Sequence, residues 1–385
     1  MTTANIGLVN ARDSYKADIV CLVEELFAQA DICINGRRPW DVQVHDDRFF
    51  SRVIGQANLG LGESYMDAWW DCFCLDEFFY RVLRSRIHEQ VEGLGDKLSI
   101  LRAKLINLQH SSRAFQIGER HYDIGNDLYQ RMLDQRMIYS CGYWHNAKNL
   151  DEAQEAKLEL VCQKLQLEAG MKVLDIGCGW GGSAKYLTEN YDVQVIGITV
   201  SQQQTDFVQE ICKGLPVEIR LQDYRDVNEP FDRVFSIGMF EHVGVKNYRT
   251  YMAKVHSLLP HDGLFLLHTI GGNLSVNKAD RWIDRYIFPN SMLPSASQIT
   301  KAYEGLFVLE DWHSFGSDYD QTLLSWESNF ESAWCKLKNN YSERFRRMWN
   351  YYLLSNAGAF RAREDQLWQV LLSPKGLIGG IRVLR

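Results

Sequence analysis

The ten residues Val173–Gly182 constrain the fold more than any other part of the 385-residue chain. They read VLDIGCGWGG, a short apolar strand with an acidic residue, followed by a turn with four glycines in six positions. Glycine allows positive φ and lets a ligand approach the main chain closely. A tight strand–helix turn without a ligand is the alternative, but four glycines would then cost backbone entropy for no structural return. The stretch therefore predicts a ligand-binding turn in an α/β fold.

Two details indicate which ligand binds there. Gly177 and Gly179 also open a G-x-G-x-x-G pattern, which is typical of dinucleotide sites. However, the next predicted strand, Val193–Ile198, leads into Thr199 and lacks the Asp or Glu with which an NAD site holds its ribose. Asp175, two residues before the first glycine, is placed to bind the ammonium of an amino-acid tail. The balance favours S-adenosylmethionine over NAD.

The composition limits the class of protein. Of the residues, 46% are hydrophobic and 24% charged, as in a globular protein with a large core. A net charge of −7 argues against a general nucleic-acid binder, so no nucleic-acid partner is expected. No window approaches the roughly eighteen apolar residues of a transmembrane helix. Nine scattered cysteines without metal-ligand spacing indicate reduced thiols in the cytoplasm and no metal site.

Strand and helix patterns alternate from about residue 150. This alternation predicts an α/β fold with a mostly parallel, doubly wound sheet. Helices are predicted at residues 15–30 and 152–167, and a late strand, Gln366–Ser373, is expected to pair antiparallel at the edge of the sheet. The parallel strands are predicted at Lys172–Asp175, Val193–Thr199, Val217–Leu221, Arg233–Ile237 and Gly263–Thr269.

The length of the chain suits two domains. A polar segment near residue 109 separates them. We predict a smaller, mainly helical N-terminal domain (1–108), a linker (109–125) and a Rossmann-like class I methyltransferase domain (126–385). Residues 48–84 of the first domain form an aromatic-rich block. Aromatic blocks usually form cores and charge clusters are usually solvated, which is the stronger general expectation. We nevertheless predict that this block helps to engage lipid. The basic residues predicted to contact phosphate are Arg81, Arg84 and Arg86 or Arg344, Arg346 and Arg347.

Polar clusters follow three successive strands after the glycine turn. They are Thr199–Gln204, Gln222–Tyr224 and Gly238–Gly244. Ligands of such sheets bind outside the carboxyl ends of the strands. Each cluster taken singly is as well explained by a polar loop or a helix N-cap. Together with the glycine turn they make four clusters at consecutive strand ends, which indicates a binding site.

Three further residues are candidates for chemistry. Glu241 lies where the donated group is expected, as a base or as a partner of a catalytic anion, and its alternative role is a helix cap. His268 ends an apolar strand and is either a satisfied core histidine or a strand-end site residue. Cys141 lies among aromatic and hydroxyl residues, and on its own it is better explained as a buried hydrophobe.

Motifs along nearly the whole chain resemble those of bacterial cyclopropane-fatty-acyl-phospholipid synthases. The glycine turn is shared by many methyltransferases, whereas the 121–127, 139–144 and 315–320 segments are far more specific. The matching segments are Leu59–Asp67, His121–Asp127, Tyr139–Trp144, Val173–Gly182, Leu221–Asp226, Gly238–Gly244, Leu266–Ile270, Phe315–Asp320 and Ala357–Arg363.

The resemblance implies transfer of a methylene from S-adenosylmethionine to a cis double bond in a phospholipid acyl chain. It also implies that bicarbonate acts as the base. By motif, the bicarbonate site would consist of Cys141, Glu241, His268, the backbone of Ile270, and Tyr319. By motif, the S-adenosylmethionine contacts would be Tyr139, Ser140, Gly177, Gly179, Thr199, Gln204, Gln222, Asp223 and Tyr224.

The implied substrate lies in a membrane, so binding is expected to be peripheral and reversible, at the inner face. Family members are commonly dimers, and a homodimer is therefore expected. The chain departs from its closer relatives at Asn356, where they carry a cysteine. Two other functions stay open, a methyltransferase for a different nucleophile and a lipid-binding scaffold without activity. The intact strand-end clusters argue against the scaffold.

Overall fold

A computed structural model of the chain describes residues 17–91, 125–276 and 279–382. The principal helices are α1 (residues 17–29), α2 (Arg48–Met66), α3 (Leu75–Arg84), α4 (Asn126–Met132), α5 (Leu150–Lys164), α6 (Gly182–Tyr191), α7 (Gln202–Ile211), α8 (Tyr248–Leu258), α9 (Arg281–Tyr286), α10 (Ala296–Tyr303), α11 (Ser317–Leu337) and α12 (Glu343–Ala362). The strands are β1 (Gln43–Val44), β2 (Trp70–Asp71), β3 (Lys172–Ile176), β4 (Gln194–Thr199), β5 (Val217–Leu221), β6 (Arg233–Ile237), β7 (Leu264–Gly272), β8 (Val308–Ser314) and β9 (Asp365–Ser373).

The chain divides into two compact units. A helical unit comprises residues 1–124, Asp280–Pro289 and Trp334–Ala362, and a sheet unit comprises Gly125–Ala279, Asn290–Ala333 and Arg363–Arg385. The helical unit is thus built from three separate segments rather than from residues 1–108 alone. The predicted linker, 109–125, lies outside the described residues except for Gly125. The predicted domain boundaries therefore stay a prediction.

A seven-stranded sheet with the order β5-β4-β3-β6-β7-β9-β8 organises the sheet unit. Strands β3 to β7 pair in parallel, as the strand and helix alternation predicts. Helices connect them because parallel neighbours need long crossovers. Large apolar residues on β3, β6 and β7 are buried, for example Leu174, Phe235 and Leu266, each 0% exposed. The predicted α/β fold class is confirmed.

The far side of the sheet differs from the prediction in one respect. β9 pairs antiparallel with β7, as expected, but it is not the edge strand, because β8 pairs with its other side. Every β9 residue from Gln366 onward is buried, whereas β8 leaves Val308 45% and Leu309 44% exposed. The predicted edge position is therefore wrong. β8 is not recognised from the sequence because its residues, VLEDWHS, mix charge with apolar side chains.

The aromatic block of residues 48–84 forms the core of the helical unit. Six of its nine rings are buried, and the Trp70 and Phe78 ring centroids lie 5.4 Å apart. Phe79 packs at 5.1 Å against Tyr351 of α12. Only Phe73 is largely exposed, at 91%. The prediction that this block engages lipid is therefore wrong for most of its rings. These rings are buried in the core of the helical unit, where their packing stabilises it.

In the described ranges, no helix has the combination of length and apolar character that crossing a membrane requires.

Candidate functional site

The glycine turn follows β3 at the carboxyl edge of the sheet. Gly177 and Gly179 adopt left-handed conformations with φ of +89° and +52°. The backbone N–H groups of Gly177 and Cys178 donate to the Ile198 carbonyl, at 3.0 and 3.1 Å, which fixes the turn against β4. A Cβ at Gly179 would meet no atom within 4 Å. The turn thus presents bare backbone to open space, as a ligand cradle requires.

Asp175 lies inside the unit, on β3, with only 2% of its surface exposed. Its Oδ2 has no hydrogen-bond partner among the described residues. Burial raises the pKa of Asp175 to about 8, and the nearby Lys157 ammonium opposes the rise. A ligand ammonium would supply the missing partner, so the predicted role of Asp175 stays open.

The ends of β4 and β5 bring three predicted cofactor residues together. Thr199 Oγ1 donates to Gln204 Oε1 at 2.7 Å, and the Ser201 N–H donates back to Thr199 Oγ1 at 3.1 Å. The Gln222 N–H donates to the Thr199 carbonyl at 3.0 Å. Thr199, Gln204 and Gln222 therefore form one polar cluster beside the glycine turn.

The two residues after Gln222 are already engaged within the protein. Asp223 accepts hydrogen bonds from Arg225, at 2.9 Å from its backbone N and 3.1 Å from its Nη1. The Tyr224 ring is 6% exposed and packs at 5.1 Å against Tyr251 in the core. This packing lends no support to ring stacking on a base, and both roles stay predictions.

Helix α5 holds the 139–144 segment through side chains that sequence reasoning missed. Lys157 Nζ donates to Ser140 Oγ at 2.8 Å, and Gln154 Nε2 donates to the Ser140 carbonyl at 2.7 Å. Both side chains are 0% exposed. The signal in the sequence is their helical spacing, since Lys157 shares the buried face of α5 with Leu158 and Val161. A charged residue on an apolar helix face marks a specific partner.

Cys141, within the 139–144 segment, is fully buried and faces α11. Its Sγ donates to the Gly142 carbonyl at 3.1 Å and lies 3.9 Å from Thr322 Oγ1. Thr322 also accepts from the Gly142 N–H at 3.1 Å and from Trp144 Nε1 at 2.9 Å. Burial raises the pKa of the Cys141 thiol well above its usual range, so the residue is a neutral thiol.

Aromatic rings join Tyr139 and Tyr319. The Trp326 ring of α11 lies 5.1 Å from Tyr139 and 5.9 Å from Tyr319, centroid to centroid. The Phe315 ring lies 5.3 Å from Tyr143 and 5.8 Å from His268. Side chains from the 139–144 segment, β7 and the start of α11 thus face one another through apolar rings.

Glu241 and Ile270 are in direct contact. The Ile270 N–H donates to Glu241 Oε1 at 2.6 Å. The other oxygen, Oε2, is buried and accepts no hydrogen bond from the described residues. Burial raises the pKa of Glu241 to about 7, while the Ile270 N–H lowers it. A carboxyl whose pKa lies near neutral is suited to acid–base chemistry or to sharing a proton with a bound anion.

His268 points one ring nitrogen at β9 and leaves the other available. Gln369 Nε2, on the facing residue of β9, lies 3.3 Å from His268 Nδ1. With the amide as donor, the imidazole carries its proton on Nε2, which has no partner among the described residues. Burial lowers the pKa of His268 well below its usual range. His268 is therefore a neutral imidazole that offers one N–H.

This sheet order and the strand-end site are those of a class I S-adenosylmethionine-dependent methyltransferase. Two solved structures have the fold: the cyclopropane synthase MmaA2 from Mycobacterium tuberculosis and the mycolic acid cyclopropane synthase CmaA1 complexed with SAH and CTAB. MmaA2 has a TM-score of 0.63 at 30% identity, covering 70% of this chain and 100% of its own. CmaA1 has a TM-score of 0.62 at 31% identity, covering 67% of this chain and 98% of its own.

A family model described as mycolic acid cyclopropane synthetase matches residues 109–370. The cyclopropane-fatty-acyl-phospholipid synthase of Escherichia coli strain K12 is 54% identical over 365 residues, which cover 94% of this chain and 95% of that protein. A probable fatty acid methyltransferase of Pseudomonas putida is 39% identical over 265 residues, or 65% of this chain and 67% of that protein. The chain belongs to the cyclopropane synthetase family, which confirms the resemblance seen in its motifs.

Proposed function

We propose that the protein is a cyclopropane-fatty-acyl-phospholipid synthase. It transfers a methylene from S-adenosylmethionine to a cis double bond of a phospholipid acyl chain, and bicarbonate accepts the released proton. The match with the E. coli synthase over nearly the full length of both chains carries this proposal. Two features of the site agree with it. The Ile270 N–H donates to Glu241, and the Nε2–H of His268 has no acceptor among the described residues.

The residues at the strand ends fit the methyl donor. S-Adenosylmethionine supplies an electrophilic methyl group on a sulfonium sulfur. The open backbone at Gly179 and the unpartnered Asp175 Oδ2 suit an amino-acid tail. The residues that would bind the donor are Tyr139, Ser140, Asp175, Gly177, Gly179, Thr199, Gln204, Gln222, Asp223 and Tyr224.

The acceptor is an isolated alkene, which is a weak nucleophile with no proton to remove beforehand. The protein must therefore hold the double bond against the methyl group and exclude water. Attack leaves cationic character on the acyl chain, which Tyr and Trp faces stabilise by about 1–2 kcal/mol each. Tyr139, Tyr143, Trp144 and Tyr319 are the candidates. Phe240, in the Gly238–Gly244 cluster, would be a further aromatic candidate from its place in the sequence, but its ring is 0% exposed and stacks at 4.2 Å on Tyr248.

The base is proposed to be a small anion held by several hydrogen-bond donors rather than a charged side chain, because those hydrogen bonds offset the cost of a charge in a dry lipid pocket. His268 offers the Nε2 proton, and Glu241 Oε2 is an acceptor for the bicarbonate hydroxyl. The phenol of Tyr319 is a further proposed donor. The Cys141 thiol donates to the Gly142 carbonyl, so it must turn away from that carbonyl before it can donate to the anion. The Ile270 N–H already donates to Glu241, so it acts on the anion through that carboxylate.

Turnover is expected to rise with pH through about 7 and then to level off. Glu241 must be ionised to accept the bicarbonate hydroxyl, and its pKa is raised to about 7 by burial, so the active form is lost as the pH falls below that value. The measurement is a profile of kcat/KM against pH at a constant free bicarbonate concentration. Rates that do not change between about pH 6 and 8 would contradict the assignment.

The direct test of the function uses vesicles of a cis-unsaturated phospholipid. The protein is incubated with S-adenosylmethionine, the fatty acids are released, and each is weighed by mass spectrometry for a gain of one CH₂. A gain that resists hydrogenation is a cyclopropane ring. Methylation of a soluble amine, hydroxyl or carbon acid, with unchanged fatty acids, would instead support a methyltransferase for another nucleophile.

Asn356 bears on the mechanism, because the family resemblance implies a cysteine at this position. In α12 its Nδ2 donates to the Tyr352 carbonyl at 2.7 Å, one turn earlier. No thiol is available at this position for a covalent intermediate. Turnover by this chain would therefore support direct transfer to the alkene.

Contact with the bilayer is proposed to be peripheral and reversible, at the inner face, and to use the helical unit. Most arginines that could meet phosphate are already paired, since Arg81 binds Asp31 at 2.7 Å and Arg347 binds Asp71 at 2.7 Å. The support that remains is Phe73, the one largely exposed ring of the aromatic block at residues 48–84. A homodimer stays a prediction.

Phe73→Ser is expected to weaken vesicle binding about tenfold or more, because burial of a Phe ring contributes roughly 1.5–3 kcal/mol and about 1.4 kcal/mol corresponds to tenfold. Affinity for S-adenosylhomocysteine should not change. Vesicle co-sedimentation measures the first quantity and calorimetry the second. Ile378→Ser, at an equally exposed apolar residue of the sheet unit, is the matched control. Equal vesicle binding by wild type and Phe73→Ser would contradict the assignment. A deletion of residues 1–108 is a poorer test, because it strips α2 and α3 from α12.

A further inference from the structure

Helix α5 carries two fully buried lysines whose partners differ. Lys157 and Lys164 are seven residues apart, on one face of the helix, and each is 0% exposed. Lys164 Nζ lies 3.0 Å from Asp311 Oδ2, a buried ion pair. Within the described residues Lys157 has no carboxylate within 4.0 Å, and Ser140 Oγ is its hydrogen-bond partner at 2.8 Å. A buried ammonium has three N–H donors, and the hydrogen bond to Ser140 uses one of those of Lys157.

Ser140 is fixed from two sides by α5. Gln154 holds its carbonyl and Lys157 its hydroxyl oxygen. Because the oxygen accepts from Lys157, the hydroxyl hydrogen points elsewhere, and no described residue accepts it. The side chain is 6% exposed. The Ser140 hydroxyl is thus a hydrogen-bond donor that the Lys157 ammonium holds in place, and a ligand could supply the acceptor.

The charge balance around Lys157 calls for an anion. The titratable groups that interact with it are Asp134, Asp175, the neutral thiol of Cys141 and the neutral imidazole of His268. Asp134 already accepts from two backbone N–H groups, those of Arg136 and Ile138. Burial lowers the pKa of Lys157 to about 8, so the ammonium is mostly charged at neutral pH. A buried cation without a close counter-ion is costly unless a ligand brings one.

We propose that Lys157 is a positioning residue for the cofactor carboxylate. It holds Ser140 Oγ so that the hydroxyl donates to the carboxylate of the amino-acid part of the cofactor, and its charge offsets that of the carboxylate. The inference rests on the proposed function, since it takes Ser140 to be a cofactor contact. The contact between Ser140 and Lys157 extends the proposed site to Lys157 of α5, which no pattern at the strand ends identifies.

The test compares two ligands that differ by one group. S-Adenosylhomocysteine has the carboxylate, and its decarboxylated analogue keeps the amine and lacks only the carboxylate. Lys157→Met is expected to weaken binding of S-adenosylhomocysteine about tenfold and to change binding of the analogue by less than about twofold, both by calorimetry. Lys164→Met is the matched control. It removes an equally buried lysine from the same helix, lowers the melting temperature by leaving Asp311 unpaired, and should leave the ratio of the two affinities unchanged.

Ser140→Ala is a smaller change that keeps the lysine and is expected to cause the same selective loss. In the Ser140→Ala background, Lys157→Met should then cost less than it does alone, since both act on one contact. The role of Lys157 would be overturned if the wild type binds S-adenosylhomocysteine and the variants weaken binding of both ligands equally, or of neither. A wild type that binds neither ligand would instead overturn the proposed function itself.

Discussion

Glu241→Gln is expected to lower turnover by about 100-fold or more, while affinity for S-adenosylhomocysteine changes by less than about twofold. Glutamine keeps an oxygen that accepts the Ile270 N–H, so the contact between the two strand ends survives. At the position of Oε2 it places an NH₂ group, which donates and cannot accept the bicarbonate hydroxyl. The variant therefore removes the acceptor without removing the fold.

The control is the same substitution at Glu310, on strand β8 of the same sheet. Its carboxylate also accepts a backbone N–H, that of Leu377 at 2.8 Å, as well as Ser373 Oγ at 2.5 Å. Glu310→Gln should leave turnover within about twofold, since it lies away from the strand ends that form the site. If Glu241→Gln lost cofactor binding and turnover in the same proportion, Glu241 would be a binding residue and not the partner of the anion. The ionisation near pH 7 should also vanish from its pH profile.

The parallel strands could be predicted from sequence because each is a short apolar run followed by turn residues. The predicted bounds Val217–Leu221 and Arg233–Ile237 coincide with β5 and β6. The strand-end rule also gave the neighbourhood of the site, since parallel strands bring their carboxyl ends to one edge. Thr199, Gln204 and Gln222 do meet there.

What could not be predicted depends on partners remote in the sequence. Thr322 organises the 139–144 segment from 178 residues away, through Trp144 Nε1. Gln369 sets the tautomer of His268 across an antiparallel pair whose register only the folded sheet defines. Neither residue belongs to a local pattern, so periodicity and motif spacing carry no information about them.

The helical unit shows the same limit at the level of domains. Its core joins α2 and α3 to α9 and α12, so that the Trp282 and Tyr351 rings, far apart in the chain, lie 4.5 Å from each other. Gly62 is a glycine because a Cβ there would lie 2.4 Å from the Trp282 ring. A prediction from composition along the chain places one boundary between two domains. It cannot represent a unit that is assembled from three separate chain segments, because such a unit has several boundaries.

Gly179→Ala is expected to lower affinity for S-adenosylhomocysteine by about 100-fold or more, which corresponds to roughly 2.7 kcal/mol. The added methyl group would meet no protein atom within 4 Å, so it would enter the open space beside the turn that the ligand is proposed to fill. The cost in stability should be small, about 1–2 kcal/mol, because an alanine at φ of +52° strains only its own backbone.

Gly170→Ala separates that strain from the loss of ligand space. Gly170 also has a left-handed φ, of +84°, and open space around its missing Cβ, but it lies in the turn before β3, at the opposite end of the strand from the site. Thermal unfolding should show similar losses of stability for both variants, whereas calorimetry should show weakened binding only for Gly179→Ala. If Gly179→Ala bound the ligand as tightly as the wild type, the amino-acid part of the cofactor would not pass over this glycine. The proposal that the cofactor binds at the carboxyl end of β3 would then be contradicted.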